Sequence, residues 1–167
     1  GPVVLWSATL LAGLLALESI WHRAEAQGQF DLLLLSRISP ASVVVAKMAA
    51  HWILCGLPAV ILSPVLLGLM GADISLNAIA ALFFGTLYLS LLGSTGAILT
   101  FGARQPALLL LVIILPLLIP MFLLGLMASL AESAFNPYLL LQAALAVLGL
   151  GILPWLAARL LEDHWKS

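Results

Sequence analysis

Charge is what this chain most lacks. Only 8% of its 167 residues are Asp, Glu, Lys or Arg and 64% are hydrophobic, whereas a soluble domain carries about 25% charged residues. With a mean hydropathy of +1.24, the chain cannot clothe itself in a hydrated surface, which excludes a soluble globular domain. Six Lys and Arg and a net charge of −1 exclude nucleic-acid binding, which needs clustered cations opposite phosphates. One cysteine, Cys55, excludes an intrachain disulfide, a CxxC redox pair and a thiolate metal cluster; in its apolar surroundings it reads as a small packing residue. The only lysines are Lys47 and Lys166, and no GxxxxGK[ST] stretch occurs. Any ATP the protein uses must therefore be hydrolysed by a partner. No basic region precedes the first apolar run, which makes a signal peptide a poor reading. Gly1-Pro2 reads as a protease scar or as the interior of a longer polypeptide.

What is present is a set of long hydrophobic runs. A membrane-crossing helix needs about 20 predominantly apolar residues, and five stretches qualify: about 3–18, 42–70, 76–101, 107–130 and 138–158. The expected fold is an all-α polytopic helix bundle, one transmembrane domain over 1–167. The cations separate cleanly between the loops. Arg23, Arg37 and Lys47 lie in 18–47, Arg104 in the turn 102–106, and Arg159 and Lys166 at the C-terminal end. The loops 71–77 and 131–137 carry Asp73 and Glu132 and no cation. By the excess of Lys and Arg on the cytoplasmic side of membrane proteins, the C-terminus is expected in the cytoplasm. Gly1 then emerges on the opposite side, and a sixth span is expected ahead of it.

The segment Glu18–Pro40 is the only sizeable cytoplasmic piece. Glu18, His22, Arg23 and Glu25 with Ile20, Trp21 and Ala24 suit a short helix at the interface, with Trp21 at headgroup depth. Gln27-Gly28-Gln29 breaks or bends it, Phe30-Asp31 and four leucines follow, and Ser39-Pro40 suits a helix start. Two readings stand: an amphipathic linker on the bilayer, or a docking element for a cytoplasmic partner.

Polar and bent places inside the spans are few. Lys47 can snorkel to the interface, and His51, with Trp52 beside it, reads as a satisfied interfacial group or a ligand contact. No second His or Met makes an obvious axial pair with it. Pro58, Pro64, Pro116 and Pro120 each remove a backbone donor and are expected to kink their helices. Ser90 with Ser94 and Gly93 with Ala97 are pairs of small residues at four-residue spacing, with Gly96 a further small residue beside them, which lets helix backbones approach. Gly93-Ser94-Thr95-Gly96 with His51 does not fit an intramembrane serine protease, because serine position and histidine order are both wrong. No catalytic residue and no metal site is expected.

Four stretches together carry a family resemblance: Leu15-Ala16-Leu17-Glu18, Val44-Val45-Ala46-Lys47-Met48-Ala49-Ala50-His51-Trp52, Gly56-Leu57-Pro58 through Ile61-Leu62-Ser63-Pro64, and Ile114-Leu115-Pro116-Leu117-Leu118-Ile119-Pro120. In these, and in Gly85-Thr86 and Gly93–Gly96, the chain resembles the CcmB family, permease subunits of the ABC-type haem exporter of cytochrome c maturation. The resemblance covers essentially the whole chain. It implies an ABC-2-type permease of six spans in the bacterial inner membrane and a second permease copy as partner. It also implies a cytoplasmic ATPase subunit (CcmA-like) binding ATP and Mg, a haem-handling subunit (CcmC-like) and a small one-span subunit (CcmD-like).

Under this resemblance the coupling segment is 18–40, and Glu18, His22, Arg23, Glu25, Phe30, Asp31 and Arg37 are the residues expected to meet the ATPase. Where the family's loop is richer in acidic residues ahead of the glycine matching Gly28, this chain has His22-Arg23-Ala24-Glu25. Lys47, His51 and Trp52 are the possible substrate or interfacial contacts. Haem is handled by the complex. The spans lack paired His/Met ligands or an Arg cluster for an anionic metalloporphyrin, so the expected mechanism is conversion of ATP hydrolysis into release of the haem-loaded chaperone. The rival readings are an ATP-independent secondary transporter and a structural membrane subunit of an assembly complex.

Overall fold

Pro2, Pro40, Pro106 and Pro137 each open a helix. Proline suits the first helical position because its φ is already helical and its missing N–H would have no partner there. Side chains ahead of the helices complete the starts: Ser39 and Ser75 accept the Ser42 and Ala78 N–H groups, and Asn136 accepts that of Leu139. The computed structural model describes residues 1–133 and 136–166, without the side chain of Leu34. Ala134 and Phe135 of the loop 131–137, and Leu34 of the four-leucine run, lie outside that description.

Among the described residues five helices are long and apolar enough to cross a membrane: α1 Pro2–Ala26, α3 Pro40–Leu69, α4 Leu76–Leu99, α5 Pro106–Leu130 and α6 Pro137–Lys166. A short helix, α2 Gln29–Leu35, lies between the first two. At 1.5 Å per residue the five reach about 36–45 Å, enough for a hydrocarbon core of about 30 Å. The chain is a multi-pass membrane protein, and its all-helical bundle is the one its composition predicts.

The middle of the bundle is α4, which touches each of the other four spanning helices. Of its most apolar stretch 56% is buried, against 17–28% for the others. Small residues make this possible. A Cβ on Gly93 would strike Leu17, and one on Gly96 would strike Ile114, so the small-residue spacing serves packing within the chain. The tightest layer surrounds Trp6. Its ring is buried between the glycine faces of Gly85 on α4 and Gly125 on α5, and its Nε1 donates to Ser129 Oγ at 3.2 Å.

Two boundaries differ from the sequence reading. The first span does not close at Glu18, because α1 continues through a π-helical turn at Glu18–His22 to Ala26. There the Arg23 N–H reaches back to the Glu18 carbonyl. The extra residue in that turn swings Trp21 and His22 toward α4, so Trp21 is buried inside the bundle instead of lying exposed on an interfacial helix. The break comes at Gly28, whose φ of 70° lies in the left-handed region that favours glycine. The coupling segment 18–40 is therefore the end of α1, then α2, then a link through Arg37 at φ 59°. The C-terminal tail, expected to leave the fifth span near residue 158, stays helical to Lys166. Ala157 and Leu161 are buried on one side of it, and Lys166 pairs with Glu162 at 3.0 Å on the other.

The prolines are accommodated by different means. A second π-helical turn, Trp52–Gly56, runs directly into Leu57 and Pro58, with the Leu57 N–H bonded to the Trp52 carbonyl. Pro64 cannot donate to the Val60 carbonyl, and the buried Ser63 hydroxyl does so instead at 2.7 Å. Pro116 and Pro120, one turn apart inside α5, are both exposed on the outer side of the bundle.

The Trp6 layer is testable. Trp6 is rigid and pinned, so Gly85→Ala or Gly125→Ala overpacks it by about 1–3 kcal/mol. The apparent Tm in detergent should fall by roughly 3–10 °C. Gly151→Ala, where nothing stands within 4 Å, should leave it unchanged.

Candidate functional site

Packing brings all six cations to one end of the bundle, the end where α1 and α6 finish and α3 begins. An aromatic cluster marks it. Trp21 and Phe30 stack at 5.9 Å, Phe30 meets Phe101 at 5.3 Å, and Phe101 meets the His164 ring at 5.4 Å. His164 in turn lies 4.0 Å from the Glu25 carboxylate. The other end joins the loops that hold Asp73 and Glu132, where Asn77 Nδ2 donates to the Ala131 and Ser133 carbonyls at 3.0 and 3.1 Å.

The seven residues expected to meet a partner separate by exposure. Arg23, Asp31 and Arg37 are exposed and Glu25 is half-buried. Glu18 lines a cleft between α1 and α5 with Leu111 and Ala107. His22 and Phe30 are buried, because the π-helical turn and the aromatic cluster draw them inward. Their role is to hold the segment to the bundle. The outward side of α2 and the link after it shows Leu32, Leu35 and Ile38, each exposed, beside Asp31 and Arg37.

A row of hydroxyls on α4 holds the buried polar groups. Thr86, Ser90 and Ser94 recur every four residues and so share one face. Along α1, Trp21 Nε1 donates to Ser94 Oγ at 2.9 Å, and His22 Nε2 lies 2.8 Å from Thr100 Oγ1. The Thr100 hydroxyl proton points at the Ala97 carbonyl, so His22 donates to it. Along α3, running the opposite way, His51 Nδ1 lies 2.7 Å from Ser90 Oγ and Trp52 Nε1 donates to Thr86 Oγ1 at 3.2 Å. A Trp-His pair on one helix and a His-Trp pair on the next thus dock on the same row, each pair within or beside a π-helical turn.

His51 joins three helices. Its Nε2 lies 2.9 Å from the Gly13 carbonyl, which can only accept, so Nε2 carries the proton; in the neutral ring Nδ1 is then an acceptor, and the one Ser90 hydroxyl proton is shared between it at 2.7 Å and the Thr86 carbonyl at 3.0 Å. The side chain is 1% exposed and about 16 Å along α3 from Pro40. With both nitrogens engaged, His51 has none left to ligate a metal. Lys47, one turn earlier, is half-buried and donates to the Ile20 carbonyl at 3.0 Å. Among the described residues, not every buried polar atom is paired: His22 Nδ1, Trp165 Nε1 and both amide atoms of Gln142, which lies against the Gly85 and Gly125 faces, have no partner. Among the described residues no group of three or more His, Cys, Asp and Glu could hold a metal ion.

The sequence reading missed the docking role of Thr86, Ser90, Ser94 and Thr100, taking the serines only as small residues. The signal was there in the adjacent tryptophans and histidines, which need partners when buried.

A family model described as CcmB protein matches residues 1–162. The chain is 40% identical over 163 residues to Heme exporter protein B of Pseudomonas aeruginosa, covering 94% of this chain and 73% of the relative. It is 35% identical over 164 residues to Heme exporter protein B of Bradyrhizobium diazoefficiens, covering 95% and 74%. To Heme exporter protein B of Paracoccus denitrificans it is 36% identical over 171 residues, covering 99% and 78%. With its five membrane-crossing helices and this match along nearly its whole length, the chain belongs to the CcmB protein family.

Proposed function

We propose that the protein is the membrane permease subunit of an ABC transporter that exports haem, or releases a haem-loaded chaperone, in cytochrome c biogenesis. It is a transport component without a catalytic site of its own. ATP and Mg are bound by a partner ATPase subunit (CcmA-like), and its hydrolysis drives the permease's conformational change. A second permease copy, a haem-handling subunit (CcmC-like) and a one-span subunit (CcmD-like) complete the complex in the bacterial inner membrane, with the C-terminus in the cytoplasm.

The observation that carries the coupling role is the two-sided construction of α2. Its inner residue Phe30 is buried in the aromatic cluster, while Leu32 and Leu35 are exposed beside Asp31 and Arg37 at the cation-bearing end. An apolar pair rimmed by charge suits a groove on a soluble partner, and the clamp behind it lets a push on α2 reach α1 and α4. Haem, as cargo, finds little to ligate it inside this chain: the His51 nitrogens and His22 Nε2 are engaged, and the unpartnered His22 Nδ1 is enclosed within the bundle. That supports energy transduction over a haem path through this subunit.

Two measurements test the proposal. Leu35→Asp in the full-length complex, purified in mild detergent, should lower the copurifying ATPase roughly tenfold. Val147→Leu, on the outer face of α6, should leave it unchanged. A wild-type preparation without ATPase would favour a secondary transporter, and equal recovery with Leu35→Asp would remove α2 from the contact. For orientation, single cysteines in a Cys55→Ala background are probed on intact spheroplasts with a membrane-impermeant maleimide. Asp73→Cys and Glu132→Cys should react. Arg37→Cys and Arg104→Cys should react only after the membrane is opened; the reverse pattern would invert the topology.

A further inference from the structure

Lys47 has an unusual set of partners for a half-buried cation. No carboxylate lies within ion-pair distance of it among the described residues. Its ammonium donates to the Ile20 carbonyl at 3.0 Å and stands 5.1 Å from the Phe30 ring centre and 5.8 Å from that of Trp21. Those two rings are stacked nearly parallel, at 9°. The carbonyl belongs to the π-helical turn of α1, Phe30 is the inner residue of α2, and Lys47 itself is on α3. One charge therefore touches three elements that have no continuous helix between them.

We propose that Lys47 is the positioning residue that couples the segment 18–36 to the second spanning helix. A cation held by ring faces and a carbonyl keeps its stabilisation only while those groups stay where they are. Any displacement of α2 that draws Phe30 away weakens the hold on Lys47, and by reciprocity any shift of α3 loosens α2. Four residues on, His51 sits on the same helix and binds Ser90 on α4 and Gly13 on α1. A route thus runs from the exposed leucines along α2 to Phe30, across to Lys47, and along one turn of α3 to His51 and the centre of the bundle. The coupling half of this inference rests on the ATPase-driven reading above; the positioning half does not.

Lys47→Met separates charge from packing, because methionine fills the same apolar space against aromatic rings. Lys47→Arg keeps the charge and its affinity for ring faces. In the full-length complex in detergent, amide hydrogen exchange over residues 18–36 should speed up by about tenfold in Lys47→Met. Exchange in α6 should stay as in the wild type, and Lys47→Arg should match the wild type throughout. Copurification of the ATPase should persist in Lys47→Met while cytochrome c assembly falls. Unchanged exchange over 18–36 in Lys47→Met, or equal disturbance in Lys47→Arg, would overturn the positioning role. Altered exchange with normal cytochrome assembly would overturn the coupling role. Absence of an ATPase from the wild-type complex would instead count against the parent reading and leave the exchange result decisive for the positioning role.

Discussion

Inside a bilayer a polar side chain has no water to turn to, and the architecture of this bundle follows from where its few polar groups find partners. A single interhelical hydrogen bond in a membrane contributes only about 0.6 kcal/mol on average, while a polar group left unpaired in hydrocarbon costs several kcal/mol. Position therefore matters more than number. The hydroxyls of Thr86, Ser90 and Ser94 on α4, and of Thr100 just past its end, meet Trp52, His51, Trp21 and His22 from two helices running in opposite directions. The small residues between them let those helices come close enough for the bonds to form.

The π-helical turns are the backbone's answer to the same constraint. Neighbouring residues in an α-helix point about 100° apart, so two adjacent large side chains cannot both face one partner helix without distortion. Widening the turn at Glu18–His22 lets Trp21 and His22 both reach α4. At Trp52–Gly56 the wide turn also comes just before Pro58, which has no N–H to continue the ladder. Both turns lie on helices that flank the coupling segment, and Lys47 bridges the carbonyl of one to the short helix beyond.

Much of the fold was legible because hydropathy, proline at helix starts and the separation of cations all act locally. Pro40 behind Ser39, Gly28 as the break and the small residues of α4 stand where the sequence placed them. The structure departs from the reading where tertiary contact overrides local pattern. Glu18 looked like the end of a span because a charge usually closes one, yet the helix continues and Glu18 turns toward α5. Trp21 looked interfacial because of its amphipathic ring, yet a serine on α4 satisfies its N–H. The tail after Arg159 looked like a polar extension, but its period of buried Ala157 and Leu161 was present in the sequence and passed unread. Of the residues expected to meet a partner, Arg23, Asp31 and Arg37 are exposed, while His22 and Phe30 are buried against the bundle.

The buried imidazoles now carry the functional argument. If they hold helices together, the permease moves and does not ligate the cargo. The direct measurement is haem titration of the purified permease without its partners, followed by absorbance in the wild type and in His51→Ala. The account predicts no protein-bound haem band that depends on His51. A band present in the wild type and lost in His51→Ala would contradict it.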